Sequence, residues 1–242
     1  MAIRIDLASV QFGEKERPVA EGAGFTVSAF RYDSGIAALR VKNRRGEILV
    51  LPFKGHQIWR AAFDGRDLTM KSMFTEPVVT STYLETYGAF FIHCGATAIG
   101  APSPVDRHGL HGELPNAPYQ KGWVVIDEVL ETCAVIGAYE YTVAFSYHYL
   151  ATSTYAFGAN DTLLDVSLQV DNLKKTPHGP DVPGPCQFPP GGQCRAHLFS
   201  TIHSKSRAGA PVDPRPHHAE ARLSGIPGAI GRQPHHPPQA DK

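Results

Sequence analysis

The sequence lacks several features that would assign a protein to a class at once. Its 242 residues carry 23 basic and 23 acidic side chains, so the formal net charge is zero. A neutral chain has no electrostatic footprint for nucleic acid or an anionic membrane surface. No apolar run reaches the roughly 18 residues that span a bilayer, and no charged-then-apolar leader is present. We therefore expect a cytoplasmic protein with neither nucleic acid nor membrane as a partner.

Cysteine is scarce as well. The four cysteines are Cys94, Cys133, Cys186 and Cys194, and no two of them form a C-x-x-C pair. This spacing favours reduced thiols over a disulfide framework or a zinc site. We expect no metal and no other cofactor.

The C-terminal segment contains no tyrosine. Residues 178–242 hold 12 of the 20 prolines and none of the 9 tyrosines. Because proline donates no backbone hydrogen bond and few apolar residues remain, this segment is not expected to pack as a domain. We divide the chain into a β-domain, residues 1–177, and a Pro/His-rich tail, residues 178–242, which we expect to be disordered.

Up to residue 177 the sequence consists of short segments in which apolar and polar residues alternate. This period of two predicts strands at Ala23–Phe30, Ile36–Val41, Glu47–Pro52, Gln57–Phe63, Arg66–Met70, Gly122–Glu131, Thr132–Tyr139, Glu140–Tyr149, Ser153–Phe157 and Leu163–Asn172. No long amphipathic helix accompanies them, so we predict an all-β, antiparallel β-sandwich. The segment Phe91–Pro118 lacks alternation and is rich in Gly, Pro and His, which predicts a loop region that carries binding groups.

Four motifs follow one another along the chain, and their order and spacing are informative together. They are Gly55–Arg60 with Asp64-Gly65 after it, Leu110-His111-Gly112, Asn116-Ala117-Pro118, and Asp165–Pro177. Together they resemble the aldose 1-epimerase (galactose mutarotase-like) superfamily, and most closely a poorly characterised bacterial branch of it. The resemblance covers about residues 1–177.

The resemblance implies a carbohydrate isomerase that interconverts the anomers of an aldose by ring opening. That reaction needs a base at the anomeric hydroxyl and an acid at the ring oxygen, on opposite sides of the sugar. In the family a glutamate is the base, a histidine is the acid, and the Leu-His-Gly histidine assists. Only the last maps onto this sequence, as His111, which is the catalytic candidate. The sugar-binding candidates are His93, His108, Asn116 and Gln57.

The likeness stops at Pro177, before the family's second histidine and its glutamate. If the codons for His178–Phe188 are shifted by one base, they permit a reading that contains His-x-Asn-Phe, similar to the family's next motif. We therefore expect that the tail is an out-of-frame translation and that the sandwich is incomplete at its C-terminus. Epimerase activity is then expected to be impaired in this chain.

Each candidate also has a structural interpretation. His111 could be a loop histidine without a chemical role, and His93 an inward-facing strand residue. His108 with Glu113 suggests a metal site, but their spacing does not match the His-x-His pattern of such sites on β-sandwiches. Two other functions remain open. One is a non-catalytic sugar-binding protein, and the other is a metal-dependent oxygenase or isomerase on a jelly roll, which the ligand spacing disfavours.

Overall fold

The computed structural model describes residues 1–174 and 193–200, and in this part of the chain the fold is all-β. One six-stranded sheet has the order β1 (Ala2–Leu7), β8 (Lys121–Asp127), β9 (Thr132–Val143), β10 (Tyr147–Gly158), β11 (Leu164–Asn172) and β12 (Gln193–Ser200). The other has the order β2 (Arg17–Gly22), β3 (Phe25–Arg31), β4 (Ala37–Lys42), β5 (Gly46–Leu51), β6 (Gln57–Phe63) and β7 (Arg66–Asp67). All neighbouring strands are antiparallel.

Helical structure in the described residues is limited to three 3₁₀ turns, at Ser9–Gln11, Tyr83–Glu85 and Leu114–Asn116. No helix within residues 1–174 or 193–200 has the length and apolarity needed to cross a membrane. The sandwich therefore presents its loops, and not helices, around the ends of its sheets.

The main core lies between the two sheets. Alternate residues of each strand face inward, so that Phe25 and Val27 of β3 meet Val135 of β9 and Tyr155 and Phe157 of β10 in one buried cluster. The rings of Phe25 and Phe157 contact edge to face, with their centroids 5.3 Å apart. Burial of each such side chain contributes about 1.5–3 kcal/mol, and this term holds the sheets together.

The prediction of an all-β, antiparallel sandwich is confirmed, and Gln57–Phe63 is a strand over its predicted length. The three strands predicted between residues 132 and 157 are wrong. The chain forms two 12-residue strands, β9 and β10, that turn at residues 144–146. This turn, Ala144-Phe145-Ser146, contains no Gly, Pro, Asn or Asp, and its single serine is only a weak turn signal. The strands β1 and β2 were not predicted, although Ile3, Ile5 and Leu7 of β1 alternate with Arg4 and Asp6. β1 is an edge strand, and most of its residues are exposed.

The strand β12 lies inside the segment predicted to be a disordered tail. It pairs antiparallel with β11 at the edge of its sheet, from Asp171 opposite Gln193 to Leu164 opposite Ser200. Eight residues of this segment therefore form regular backbone structure. The remainder of residues 175–242 lies outside the described residues, so the boundary at residue 177 and the out-of-frame origin of the tail stay predictions.

The turn between β5 and β6, residues 52–56, packs tightly against the loop that precedes β8. The backbone N–H of Gly55 donates to the carbonyl of Ala117 at 2.8 Å. Gly55 has a φ of 58°, and a Cβ at this position would lie 2.1 Å from the carbonyl oxygen of Pro115. Only glycine combines this left-handed backbone with so close an approach.

A Gly55→Ala variant is therefore expected to unfold more easily. Left-handed strain and overpacking against Pro115 together should lower the free energy of unfolding by about 2–4 kcal/mol. Urea unfolding followed by tryptophan fluorescence measures the loss. Gly35→Ala is the matched control, because Gly35 has a φ of 85° with open space around it and should lose about 1 kcal/mol. Equal losses in the two variants would show that the contact with Pro115 has no energetic weight.

Candidate functional site

A long connection, residues 68–120, joins β7 to β8 and carries most of the predicted motifs. It is tied to the second sheet where Phe91 exchanges two backbone hydrogen bonds with Ile58 of β6, at 3.0 and 3.1 Å. Further along, the turn Leu114–Asn116 packs on the β5–β6 turn. Although the connection has little regular structure, these contacts hold it against the sandwich near its middle and near its C-terminal end.

This connection encloses a cavity of about 600 Å³ with the side chain of Tyr139 on β9. The walls come from residues 81–84, 109–110, 112–113 and 115–118, and they include Tyr83, Glu113 and Asn116. We call this space the loop cavity. Its volume lies in the range of small-molecule sites, which are mostly apolar with a few placed polar groups.

His111 lies beside the loop cavity in a constrained backbone. Its φ is 61°, its N–H donates to Gly100 O, and its carbonyl accepts from Gly95 N, both at 2.9 Å. The ring centroid is 4.5 Å from that of Tyr83, and the Nδ1 atom is buried without a hydrogen-bond partner among the described residues. The next residue, Gly112, has a φ of 79°, and a Cβ there would lie 2.3 Å from Ala98 O. The Leu-His-Gly motif thus fixes this turn.

Glu113 ties the His111 loop to the first sheet. Its carboxylate accepts hydrogen bonds from the backbone N–H groups of Ala96 (2.9 Å) and Thr97 (3.2 Å). It also accepts from the Thr97 hydroxyl (2.6 Å) and from the Tyr149 hydroxyl. Burial, with the Glu113 charge adding to it, raises the pKa of Tyr149, so this phenol stays protonated. A carboxylate that already accepts four hydrogen bonds serves better as an anchor than as a base.

Asn116 and Gln57 form one buried network with Lys54 of the β5–β6 turn. The Lys54 ammonium donates to Asn116 Oδ1 and to Thr86 Oγ1, the latter at 3.2 Å. Gln57 is fully buried, and its amide donates to Pro115 O at 2.7 Å and to Thr86 Oγ1 at 2.8 Å. Gln57 therefore supports the wall from behind, whereas Asn116 lines the loop cavity itself.

His93 lies in a buried aromatic stack and not among the residues that line the loop cavity. His56 and His93 both stack on Tyr155, with ring centroids 4.8 and 5.7 Å away, and the Nδ1 atom of His56 contacts the Ser153 hydroxyl. Burial lowers the pKa of His93 to about 4 and that of His56 well below its usual value. Both rings are therefore neutral at pH 7, and a sugar-binding role for His93 stays a prediction.

The polar contacts of His108 do not involve Glu113. Its Nδ1 atom lies 2.8 Å from Gly109 O, and its Nε2 atom lies 3.9 Å from the Asp106 carboxylate. In the part of the chain that the structure describes, no three His, Cys, Asp or Glu side chains are grouped as metal ligands would be. A sugar-binding role for His108 stays a prediction.

Several residues of the site were not among the sequence candidates. Tyr83, Glu113 and Tyr139 line the loop cavity, and Tyr149 and Lys54 hold its walls. The tyrosines at 139, 141, 147 and 149 alternate along β9 and β10, and in register they share one face. That alternation was visible in the sequence. No local pattern marks Lys54, because a lone lysine in a Pro-Phe-Lys-Gly turn is typical of the surface.

The two antiparallel sheets form a β-sandwich, and its fold matches that of a solved structure. A family model, the domain of unknown function DUF4432, matches residues 33–181, and the chain belongs to this family. The structure is similar to a crystal structure from Klebsiella pneumoniae subsp. pneumoniae that was solved under the name "putative aldose 1-epimerase". The TM-score is 0.64 at 16% identity, over 74% of this chain and 53% of the other. No curated protein matches the sequence.

The buried histidines predict a loss of stability in mild acid. The folded-state pKa of His93 is about 4, below the 6.5 of an unfolded chain. The unfolded state therefore binds more protons between these values, so stability is full above pH 6.5 and falls as the pH drops toward 4. His93 alone accounts for about 3 kcal/mol of this loss, and His56 adds to it in the same direction.

A His93→Phe variant keeps the ring and removes the titration. Denaturant midpoints at pH 7 and pH 4.5 should differ clearly less in this variant than in the unmodified protein. His148→Gln, at a more exposed histidine that lies outside this stack and pairs with Glu140, is the control for removal of a histidine. If His93→Phe kept the full acid sensitivity, His93 would not be the neutral buried group described here.

Removal of the Glu113 charge should loosen the His111 loop. In Glu113→Gln, the amide oxygen can still accept hydrogen bonds at the position of Oε1, but it carries no full negative charge. The NH₂ group meets the Thr97 hydroxyl at the position of Oε2. The backbone N–H groups of Ala96 and Thr97 therefore lose the charge assistance of their hydrogen bonds. Their hydrogen-exchange protection should fall by roughly tenfold or more. Glu128→Gln, which changes an exposed carboxylate on another loop, is the control. Unchanged protection at both amides would contradict the anchoring role.

Proposed function

We propose that this protein binds a small aldose or aldose derivative in the loop cavity and carries an aldose 1-epimerase-like activity that is impaired in this chain. The observation that carries the proposal is the position of His111 and its free ring nitrogen among the described residues. His111 is held in a left-handed turn against Tyr83 of the cavity wall, and its Nδ1 atom has no protein partner among the described residues. A buried ring nitrogen without a partner is destabilising by about 1–3 kcal/mol, and a sugar hydroxyl that reaches it would remove this penalty.

The other walls of the cavity suit a sugar. Tyr83 and Tyr139 supply aromatic surface for the apolar C–H face of a pyranose, while Asn116 supplies an amide for its hydroxyls. Anomer interconversion also requires a proton acceptor and a proton donor at the anomeric centre. His111 can act as one of them. Glu113 is occupied by four donors, so it does not readily supply the second.

The proposed impairment of the epimerase activity follows from this acid–base pair, of which only His111 is assigned. Loss of one member of an acid–base pair lowers the rate by about 10²–10⁴-fold, so the chain should turn sugars over slowly. The second candidate function, a non-catalytic sugar-binding protein, is favoured by the same observation, because the cavity and His111 are sufficient for binding. Cytoplasmic location is part of the proposal, and the two described cysteines, Cys94 and Cys133, support it as free thiols.

The experiment compares sugar binding with turnover. We expect one or more aldoses to bind, as measured by saturation-transfer NMR and calorimetry, and to show slow anomer exchange in one-dimensional exchange NMR. His111→Ala should weaken binding or slow exchange at least tenfold, because it removes the ring that meets the sugar. The thermal unfolding midpoint should change little, since the turn is held by backbone hydrogen bonds.

His148→Ala is the matched control, a histidine paired with Glu140 on the β9–β10 hairpin, and should behave like the unmodified protein. Binding without any enhancement of exchange would assign the protein to the non-catalytic alternative. If His111→Ala bound and exchanged sugars as well as the control, the proposed site would be wrong.

A further inference from the structure

A second cavity, of about 460 Å³, lies at one end of the sandwich, among strand ends and turns that come from both sheets. We call it the end cavity. Residues at the end of β1, in the β3–β4 turn and in the β5–β6 turn form its walls, together with Tyr119 and Gln120 before β8. Its charged lining residues within the described part of the chain are Arg31 and Lys54, and both are cations.

The Arg31 guanidinium is fixed in place without an anionic partner. It donates to the backbone carbonyls of Phe12 and Ser9, each at 3.2 Å, and of Gly35 at 2.5 Å, and to the Ser9 hydroxyl at 3.3 Å. No carboxylate among the described residues forms an ion pair with it. Its orientation is therefore set before any ligand arrives, and its positive charge is left uncompensated.

Lys54 is the more unusual of the two cations. Only 7% of this residue is exposed, yet its ammonium has just two acceptors in the described residues, Thr86 Oγ1 and Asn116 Oδ1, and both are neutral. A lysine ammonium has three donors, so one hydrogen has no assigned acceptor. A buried charge without a counter-charge is destabilising. In agreement, burial lowers the pKa of Lys54 to about 8.

From these observations we infer that the end cavity is a binding site for a small anionic molecule, whose phosphate or carboxylate group lies between Arg31 and Lys54. The anion supplies the negative charge that the protein itself does not place there. The neutral walls contributed by Leu7, Ile36 and Phe53 are suited to an apolar portion of the same ligand. This site is distinct from the loop cavity, and it does not depend on the proposed sugar chemistry.

Three anions serve as probes, each titrated by calorimetry into the full chain. Inorganic phosphate tests the anion alone, phenyl phosphate adds an apolar group to the same anion, and benzoate replaces phosphate by carboxylate. We expect at least one probe to bind and to raise the thermal midpoint. Tighter binding of phenyl phosphate than of phosphate would assign the site to an organic phosphate, and equal binding would assign it to the inorganic ion. Benzoate affinity should fall as the pH rises above 8, because benzoate keeps its charge and Lys54 loses its own.

The variant Lys54→Met separates a ligand site from a structural lysine. If Lys54 serves a ligand, the apolar replacement should raise the midpoint of the unliganded protein and weaken anion binding at least tenfold. Lys121→Met, at an exposed cation of β8, is the control and should change neither value. Arg31→Lys keeps the charge without the planar guanidinium, and should weaken binding several-fold while the protein stays folded.

Two results would overturn the inference. The first is the absence of binding by all three probes at millimolar concentration in a folded protein. The second is a Lys54→Met variant that is less stable than the unmodified chain and binds the anions as tightly, because Lys54 would then be a structural donor to Asn116 and Thr86 only.

Discussion

The packing of the β5–β6 turn against residues 114–117 is the contact on which the rest of this structure depends. Gly55 brings the two backbones together, and Gln57 closes the contact by donating to the carbonyl of Pro115. The turn belongs to one sheet, while residues 114–117 lead directly into β8 of the other sheet. This one contact therefore joins the sheets at the end of the core and fixes the wall that carries Asn116.

The polar groups behind this contact are buried at a cost in stability. His56 and His93 are kept neutral inside an aromatic stack, and each leaves its Nε2 atom without a partner among the described residues. Apolar side chains of similar size would avoid this desolvation penalty. The stack does fix the orientation of Tyr155, whose hydroxyl donates to the carbonyl of His56. His56 has a φ of 44°, and this left-handed backbone is held by two contacts. Ser153 contacts its ring, and the Tyr155 hydroxyl donates to its carbonyl.

The sequence predicts the parts of the fold that depend on local pattern. The strand Gln57–Phe63 and the Asp64-Gly65 turn follow from alternation and from turn residues, and the structure agrees with both. The β9–β10 hairpin was divided wrongly because its turn at residues 144–146 has a single serine as its turn signal. Lys54 could not be found at all, since its burial results from the approach of residues 86 and 116, which are distant in sequence. The Leu-His-Gly motif indicated the loop around His111. The tyrosines of β9 and β10 come together only through the register of these strands.

The two cavities are separate, but a hydrogen bond from Lys54 to Asn116 connects their walls. The Lys54 side chain lines the end cavity, and its ammonium holds the amide oxygen of Asn116, which lines the loop cavity. An amide whose oxygen is engaged by a cation must present its NH₂ group elsewhere, and the Nδ2 atom of Asn116 has no partner in the described residues. The charge of Lys54 thus strengthens the hydrogen bond that sets the orientation of the Asn116 amide. Since burial already lowers the pKa of Lys54 toward neutrality, a counter-charge in the end cavity would favour the protonated form and with it the present orientation of Asn116. The contact that builds the wall of one cavity therefore also links it electrostatically to the other.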